Sequence, residues 1–520
     1  MPSSGSLRDT RKSGTTTPRW ITARKIIQYG SLFIFLYLFI FSAHRVVPPD
    51  LLNLPMRLDP LLAVTHIISS RVFLPGAAIS LAVITLTLIF GRAWCGWVCP
   101  LGTILDIFSF KSGRENPVLD ATNDQNWRKI KYSLLIAIII SALFANLSLL
   151  IFDPLTILYR TLTTSLWPAL DQAVIILETG LLNIPVLEEP IAIFDSWIRP
   201  ILLPIEPSFT PAALLYFLLF ASIIILNILA SRFWCRYLCP LGGFLGLISK
   251  ASLFRRQVSQ DCKTCALCER VCPTGTIDPE RNYTSDPSEC TLCLECLDAC
   301  PRSSIAFIPA MRLADWREYD PNRRQALATL GLTVAGLAVL SVDPRTKNPG
   351  PNFIRPPGTR QEDFLSQCIR CAECVRSCPT HALHPALLEG GLIALWSPIL
   401  IPRLGYCDYS CNQCGQVCPS QAISPLSLDE KRKQIIGKAY IDQDRCIAWA
   451  DHKDCIVCEE MCPLPQKAIT LKPGLWSDPG GESFVVQLPQ VDRQSCIGCG
   501  ICENKCPLVG EAAIRIFRTS

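Results

Sequence analysis

The most informative stretch of this chain is Cys262-Lys-Thr-Cys-Ala-Leu-Cys-Glu-Arg-Val-Cys272-Pro273. Three cysteines stand two residues apart, and a fourth follows after three more residues, directly before a proline. Six groups have this pattern, although the first gap is one residue longer after Cys407 and eight residues long after Cys446. The groups are Cys262, Cys265, Cys268 and Cys272; Cys290, Cys293, Cys296 and Cys300; Cys368, Cys371, Cys374 and Cys378; Cys407, Cys411, Cys414 and Cys418; Cys446, Cys455, Cys458 and Cys462; and Cys496, Cys499, Cys502 and Cys506.

This spacing is typical of [4Fe–4S] ligation. Three thiolates on one tight loop bind three corners of an iron–sulfur cube, and the cysteine before the proline reaches a neighbouring cube. Zinc knuckles and disulfides are the alternatives, but zinc sites lack the third in-phase cysteine and the closing Cys-Pro. The six groups therefore predict six clusters.

The four cysteines that are left form two C-x-x-x-C-P pairs, Cys95 with Cys99 and Cys235 with Cys239. Their surroundings repeat, as Gly91-Arg-Ala-Trp-Cys-Gly-Trp-Val-Cys-Pro-Leu-Gly102 matches Ser231-Arg-Phe-Trp-Cys-Arg-Tyr-Leu-Cys-Pro-Leu-Gly242. On a helix the two thiols of a pair share a face but lie too far apart for a disulfide. Three readings stay open: a metal site that holds a seventh cluster, a copper or redox thiol site, and thiols that pack against Trp94 and Trp234.

Composition indicates a membrane protein. Hydrophobic residues make up 49% of the 520 residues and charged residues only 18%, and a net charge of +5 gives no sign of nucleic-acid binding. Four apolar runs, at 26–41, 76–90, 132–152 and 212–230, approach the length of about 20 residues that a crossing helix needs. The stretch 173–182 is interrupted by Glu178 and is interpreted as interfacial.

Basic residues predict the orientation. Lysines and arginines are enriched before the first run, between the second and third, and after the fourth, whereas the loop 153–211 is acidic. By the positive-inside rule the N-terminus and both C-x-x-x-C-P pairs face the cytoplasm. No cleavable signal peptide is expected before the first run.

The chain then divides into six segments. They are a basic cytoplasmic tail (1–25), a four-helix membrane domain with both C-x-x-x-C-P pairs (26–251), a two-cluster ferredoxin-like domain (252–320), a twin-arginine-like apolar segment (321–345), a Pro-rich linker (346–366) and a four-cluster domain (367–520).

One of these segments has two possible placements. The segment 321–345, which begins near Asn322-Arg-Arg-Gln-Ala-Leu, is either a fifth crossing that places the last domain on the outer face or a helix that does not cross.

The cysteine groups are expected to pair. In the two-cluster domain Cys300 is expected to complete the Cys262 group and Cys272 the Cys290 group. In the last domain the first group is expected to pair with the fourth, and the second with the third. The fold class is thus membrane α-helical plus loop-rich α+β ferredoxin domains.

The C-x-x-x-C-P repeats, four spans and ferredoxin pair resemble the NapH/MauN membrane polyferredoxins, and NosR-type proteins share that membrane pattern. The segment Arg355-Pro-Pro-Gly through Phe364-Leu to Cys368-Ile-Arg-Cys371 resembles the NapG/MauM four-cluster proteins. The chain reads as a fusion of the two. This resemblance implies quinol oxidation at the membrane, from menaquinol or ubiquinol, and electron delivery to an exported reductase.

The expected function is a membrane-bound electron relay, acting as a quinol dehydrogenase or as the electron-transfer subunit of one. No residue is assigned to catalysis or to a quinone site. A maturation or metal-reducing accessory factor for a partner metalloenzyme is the alternative, and a redox sensor is a third reading that six clusters disfavour.

Overall fold

The computed structural model describes residues 19–43, 47–109, 121–184, 187–203, 210–309, 323–342, 350–360, 362–477 and 483–518. Most of the basic tail, Asn322 and part of the Pro-rich linker lie outside these residues. The first half is helical: α1 Arg19–Phe41, α2 Pro49–Leu52, α3 Leu54–Arg57, α4 Pro60–Ser70, α5 Ser80–Phe90, α6 Ala93–Trp97, α7 Pro100–Ile107, α8 Ala121–Leu143, α9 Pro154–Thr161, α10 Trp167–Leu181, α11 Glu188–Ile193, α12 Arg199–Leu202, α13 Ala213–Ile225 and α14 Pro240–Ser249.

The second half is built from short elements. Its helices are α15 Leu267–Val271, α16 Glu295–Ala299, α17 Arg323–Val342, α18 Phe364–Gln367, α19 Glu373–Arg376, α20 Gln413–Gln416, α21 Leu428–Arg432, α22 Ile447–Ala450, α23 Val457–Glu460 and α24 Ile501–Asn504. Its strands are β1 Phe254–Val258, β2 Ile277–Asp278, β3 Thr284–Ser285, β4 Ile305–Pro309, β5 Leu383–Pro385, β6 Pro398–Leu400, β7 Lys438–Ile441, β8 Ile469–Ser477, β9 Ser483–Val491 and β10 Ile514–Phe517.

Three units share one topology, which we call unit I (254–309), unit II (359–423) and unit III (438–517). In unit I, β1 pairs with β4 and encloses the hairpin β2–β3. In unit III, β7 pairs with β10 around the longer hairpin β8–β9. Unit II has the hairpin β5–β6, and an isolated bridge from Thr359 to Ile423 replaces the outer strand pair. Each unit therefore closes on itself.

The helices α1–α14 form a bundle with an apolar interior that includes Phe39, Leu61, Leu101, Leu135 and Leu245. Within the described residues, α1 is the helix that is long and apolar enough to cross a membrane. The runs 76–90 and 212–230 form shorter helices, and α8, although as long as α1, is more polar at its start, so crossing by these runs stays a prediction. The run 132–152 differs most from its expected extent, because α8 starts at Ala121 and ends at Leu143, where Ala145 adopts a left-handed conformation with φ of 56°.

Units I and II contact opposite ends of the bundle. At one end of α1, Arg24 donates to Glu295 of unit I at 2.9 Å. At the other end, the backbone carbonyl of Phe39 faces Arg376 of unit II at 3.5 Å. Fifteen residues of helix separate the two contacts, which corresponds to about 22 Å. The connecting helix α17 packs beside α8.

Candidate iron–sulfur centres

The structure brings the cysteines of unit I together in two clefts. The first, site Ia, is lined by Cys262, Cys265, Cys268 and Cys300. The second, site Ib, is lined by Cys272, Cys290, Cys293 and Cys296. Both sets combine three cysteines of one motif with the last cysteine of the other, as expected from the sequence.

The pairing in the last domain differs from the expected one, which was wrong. The structure pairs the first group with the second and the third with the fourth. Site IIa combines Cys368, Cys371 and Cys374 with Cys418, and site IIb combines Cys407, Cys411 and Cys414 with Cys378. Site IIIa combines Cys446, Cys455 and Cys458 with Cys506, and site IIIb combines Cys496, Cys499 and Cys502 with Cys462.

Strand pairing explains this correction. The antiparallel pair β7–β10 joins the segment before Cys446 to the segment after Cys506, so the last two groups close into one unit. The bridge from Thr359 to Ile423 does the same for the first two groups. The four-cluster domain is thus two tandem copies of the unit I fold. Pairing the first group with the fourth would have required strands to pair across both units.

The four regular motifs wrap their loops in the same way. The residue before and the residue after the second cysteine are both left-handed, as at Leu292 and Leu294 with φ of 51° and 63°. Left-handed residues in such tight turns orient backbone N–H groups toward the interior of the loop, which favours an anionic guest. At the last motif these positions are Gly498 and Gly500, and a Cβ on Gly498 would lie 2.4 Å from the carbonyl oxygen of Gly437. Glycine is required there by the close approach of the backbone.

Burial makes these thiols poor acids in the metal-free chain. Burial raises the pKa of Cys290 and of Cys499 to about 12. A thiol must lose its proton to bind iron, and metal coordination compensates for the charge that burial disfavours.

All 28 cysteines are free of disulfides. Among the described residues no group of three or more metal-ligating side chains is arranged for a single metal ion.

The order of the sites follows from contacts between units. Cys371 and Ile369 of site IIa belong to the apolar interior of the bundle. The amide of Cys407 in site IIb donates to the carbonyl of Cys499 in site IIIb at 2.8 Å. The described residues that line site IIIa all belong to unit III. From the bundle outward, the order is therefore IIa, IIb, IIIb and IIIa, which differs from the order along the chain.

The bundle thiols, Cys95, Cys99, Cys235 and Cys239, lie together and are buried, with exposed fractions of 4% to 8%. Cys95 lies in α6 and Cys235 in the wide π-type turn Trp234–Leu238, while Cys99 and Cys239 directly precede α7 and α14. Pro100 and Pro240 then open α7 and α14.

One arginine from each repeat donates to a carbonyl group of the other repeat. Arg92 of the first repeat donates to the carbonyl of Cys235 at 3.4 Å, and Arg232 of the second donates to the carbonyl of Cys95 at 3.3 Å. Arg92 also binds Glu289 of unit I, whereas Arg232 binds Asp106 at 2.5 Å. The duplication seen in the sequence is thus a pseudo-twofold arrangement with buried positive charge on both sides of the thiols.

The donors at the bundle thiols fit a sulfide-rich anionic group. The indole N–H groups of Trp94 and Trp234 are buried and have no protein acceptor. Gly102 and Gly242 keep the turns tight, because a Cβ at Gly242 would lie 2.6 Å from the Arg92 guanidinium. Buried N–H groups are rarely left without an acceptor. These four thiols would hold the group, with the two indoles as donors.

A buried carboxylate that no sequence pattern singles out contributes to holding unit I against this end of the bundle. Glu289 precedes Cys290 and lies 2.5 Å from the Lys131 ammonium, 3.3 Å from Arg92 and 3.6 Å from Arg128. Burial alone would raise the pKa of the Glu289 carboxyl, but these three cations hold it below its usual range.

The loop of site Ib also presses directly on the first pair of bundle thiols. A Cβ on Gly96 would lie 2.1 Å from the carbonyl oxygen of Thr291. The Trp97 indole donates to the carbonyl of Leu292 at 2.9 Å. Because Gly96 follows Cys95 and Thr291 follows Cys290, site Ib is adjacent to the bundle thiols.

Unit II is held at the opposite end by arginines that bind carbonyl groups and rings. Arg160 donates to the carbonyl of Arg370 at 3.2 Å and lies 3.9 Å from the ring centroid of Trp396. Arg376 lies 4.7 Å from the ring of Phe39. Arg370 donates to the carbonyl of Cys368 at 2.9 Å, so its charge lies beside site IIa.

Two buried aspartates in this half of the bundle were missed by the sequence analysis. Asp59 accepts from the amide of Leu61 at 2.8 Å, and Asp153 accepts from Thr156 at 3.0 Å, so each caps a helix. Their other carboxyl oxygens, Oδ2 of Asp59 and Oδ1 of Asp153, are buried with no hydrogen-bond donor among the described residues, and the two carboxyls interact. Two buried carboxyls this close do not both ionise, so we expect them to share a proton. The signal was present in the sequence, since Asp-Pro-Leu occurs at both positions.

Comparison with known proteins gives the family. A model described as a 4Fe-4S binding domain matches residues 72–116 and 212–259, which contain all four bundle thiols, and a second model of that description matches 488–514. The "Methylamine utilization ferredoxin-type protein MauM" of Methylobacillus flagellatus is 33% identical over 205 residues, which is 38% of this chain and 80% of the relative. The chain belongs to the MauM/NapG ferredoxin-type family.

Further relatives agree with this assignment. The "Ferredoxin-type protein NapG" of Escherichia coli is 33% identical over 211 residues, covering 38% of this chain and 87% of the relative. "Protein NirI" of Paracoccus denitrificans is 29% identical over 240 residues, covering 45% of this chain but 28% of that protein. No solved structure matches. The NapG/MauM part of the expected resemblance is confirmed for this ferredoxin-type protein, while the NapH/MauN and NosR parts stay predictions.

Proposed function

We propose that this MauM/NapG-type protein is a membrane-crossing electron relay, which takes electrons from the quinol pool and passes them through six [4Fe–4S] sites to a terminal reductase. The observation that carries the proposal is the placement of units I and II on opposite ends of one helical bundle. A relay between two sides of a membrane needs this arrangement. A factor that acts on one side does not.

The length of the bundle supports the crossing. Helix α1 has 23 residues, which corresponds to about 34 Å, and the apolar core of a bilayer is about 30 Å thick. The helix α17 has 20 residues and follows unit I in the chain, so it can return the chain to the end where unit II begins. With the positive-inside rule, this supports a cytoplasmic unit I and outer units II and III.

The bundle thiols support a seventh cluster at the end of the bundle that carries unit I. They lie next to site Ib, and the matched 4Fe-4S binding model covers both pairs. Bound there, a cluster would supply a one-electron redox step. The residues of the chain then have defined roles: Arg92 and Arg232 supply positive charge, Trp94 and Trp234 donate, and Glu289 holds site Ib in place.

Iron and acid-labile sulfide counting on anaerobically purified full-length protein tests the number of clusters. About 24 iron atoms per chain would indicate six cubanes, and about 28 would add the bundle site. Replacing both Cys95 and Cys235 by serine should remove only the additional four. A count of about 24 in the wild type would reject the seventh cluster, and zinc in place of iron would reject the relay.

Reduction by quinol tests the electron source. Menadiol added to the oxidised protein should bleach the cluster absorbance, with dithionite reduction as the control for intact clusters. Clusters that respond to dithionite but never to quinol would overturn the dehydrogenase role.

Protease added to sealed, right-side-out vesicles should cleave near residues 346–366 only if that linker is outside.

A further inference from the structure

Site IIIa is the outermost site in the order set by the contacts between units, and it opens to the surface. Cys446, Cys455, Cys458 and Cys506 line a cleft together with Ile447 and Leu508. Two apolar side chains beside this cleft face solvent, Ile456 with 48% and Val509 with 96% of its surface exposed. Each directly follows a residue that lines the cleft, Cys455 or Leu508, and protein–protein interfaces typically have an apolar centre within a polar rim.

The hairpin β8–β9 packs against residues 449–454, beside this surface. The Trp476 ring stacks on His452 with ring centroids 3.7 Å apart, and Trp449 donates to the carbonyl of Pro489 at 3.2 Å. The amide of Gln487 donates to Asp454 at 2.9 Å. In unit I the corresponding hairpin, β2–β3, has only two residues in each strand. The enlarged hairpin is therefore specific to unit III, which carries site IIIa.

The charge around site IIIa is acidic. Residues 442–460 contain six acidic residues, Asp442, Asp444, Asp451, Asp454, Glu459 and Glu460, against two basic ones, Arg445 and Lys453. Arg515 pairs with Asp442 and Lys467 pairs with Glu459, which leaves four acidic residues against the two basic ones. The whole chain carries a net charge of +5, so this segment opposes the overall charge. At the other terminal site, Ia, the cleft is instead lined by Lys263 and Arg302. The two ends of the relay thus present different charges.

We infer that the surface around site IIIa, formed by Ile456, Val509 and the acidic segment 442–460, is where a soluble one-electron redox protein with a basic rim docks. The inference rests on the proposed relay function and names the partner class at its outer end. One electron leaves site IIIa, which is oxidised, and reduces the redox centre of the partner. No bond forms or breaks, and no proton has to move.

Complementary charge acts mainly on the rate of association, which falls as salt screens the interaction. Apolar contact at the centre of the surface then holds the two redox centres close. A partner with an acidic rim would be repelled from segment 442–460.

The test uses mitochondrial cytochrome c as a basic one-electron probe. Full-length protein, reduced with dithionite and freed of excess reductant, is mixed with oxidised probe in a stopped-flow instrument. The second-order rate should fall steeply with added salt, and the variant D451K/E460K should lower it about tenfold at low salt. The matched control D278K/E280K makes the same charge change on unit I and should leave the rate unchanged.

A second readout does not depend on electron transfer. Binding of oxidised probe to immobilised oxidised protein should weaken in D451K/E460K and not in D278K/E280K, while the iron content of both variants stays that of the wild type. Equal rates and equal binding in D451K/E460K and wild type would overturn the docking surface. So would an equal loss in both variants. Dithionite reduces the clusters without quinol. The docking test can therefore still be interpreted if quinol does not reduce the protein.

Discussion

The two ends of the bundle hold their cysteine-rich units by different physical means. At the end of the bundle thiols, one buried carboxylate, Glu289, is surrounded by three cations. At the opposite end, Arg160, Arg370 and Arg376 bind carbonyl oxygens and aromatic rings, and in the described part of the chain none of them forms an ion pair. The first interface balances its charge within the protein. At the second, the buried carboxyl of Glu373 forms no hydrogen bond among the described residues and burial raises its pKa, so the three arginines keep a net positive charge beside site IIa.

The largest effect is expected from removing the carboxylate at the first interface. Glu289→Ala leaves Lys131 and Arg92 buried without their partner, which typically costs about 3–5 kcal/mol. We expect unit I to detach from the bundle and the protein to unfold at lower temperature, measured by thermal unfolding and by proteolysis.

Glu295→Ala is the matched control for that variant. Glu295 pairs with one bundle arginine, Arg24, and its side chain is 28% exposed, so its loss should cost less than the loss of Glu289, which is buried among three cations. Equal destabilisation by the two variants would mean that Glu289 has no special role in docking.

A steric change at the same interface should have the next largest effect. Gly96→Ala places a methyl group against the carbonyl of Thr291, and strain of this kind costs about 1–3 kcal/mol. Gly180→Ala, where nothing lies within 4 Å, should be neutral or stabilise the helix by up to about 1 kcal/mol. Thermal unfolding of both variants measures the difference. A tolerated Gly96→Ala would show that site Ib does not pack on the first thiol pair.

The cysteine spacing predicted the six four-cysteine groups and the repeated thiol pairs, because ligation imposes local spacing on the sequence. It could not predict how the groups of the last domain pair, since every group has the same local pattern and the choice is made by strands such as β7 and β10. The end of α8 was also missed, because the apolar run continues past the turn at Ala145. The role of Glu289 could not be predicted from the sequence for a related reason. Its role comes from Lys131, which is 158 residues away.

If Asp59 and Asp153 share a proton, two substitutions of Asp59 should differ in thermal stability, and both should have a smaller effect than the variants above. Asp59→Ala removes a helix cap, worth about 1 kcal/mol, and leaves Asp153 without its partner. Asp59→Asn keeps an oxygen for the amide of Leu61 and supplies a permanent donor to Asp153, so it should be close to wild type in thermal stability. If both variants lose the same stability, the two carboxyls do not share a proton.

The smallest effect concerns the uncompensated charge at the second interface. Arg370 is 1% exposed and lies between two ligands of site IIa, so its charge favours the reduced state of that site. Arg370→Gln should lower the reduction potential of site IIa by tens of millivolts, measured by a redox titration followed by electron paramagnetic resonance. Arg128→Gln, beside site Ib, should shift its site less, because Glu289 already balances the cations there. Shifts of equal size at the two sites would mean that the interfaces do not differ in how they balance charge, and the contrast between the two ends of the bundle would then be one of shape alone.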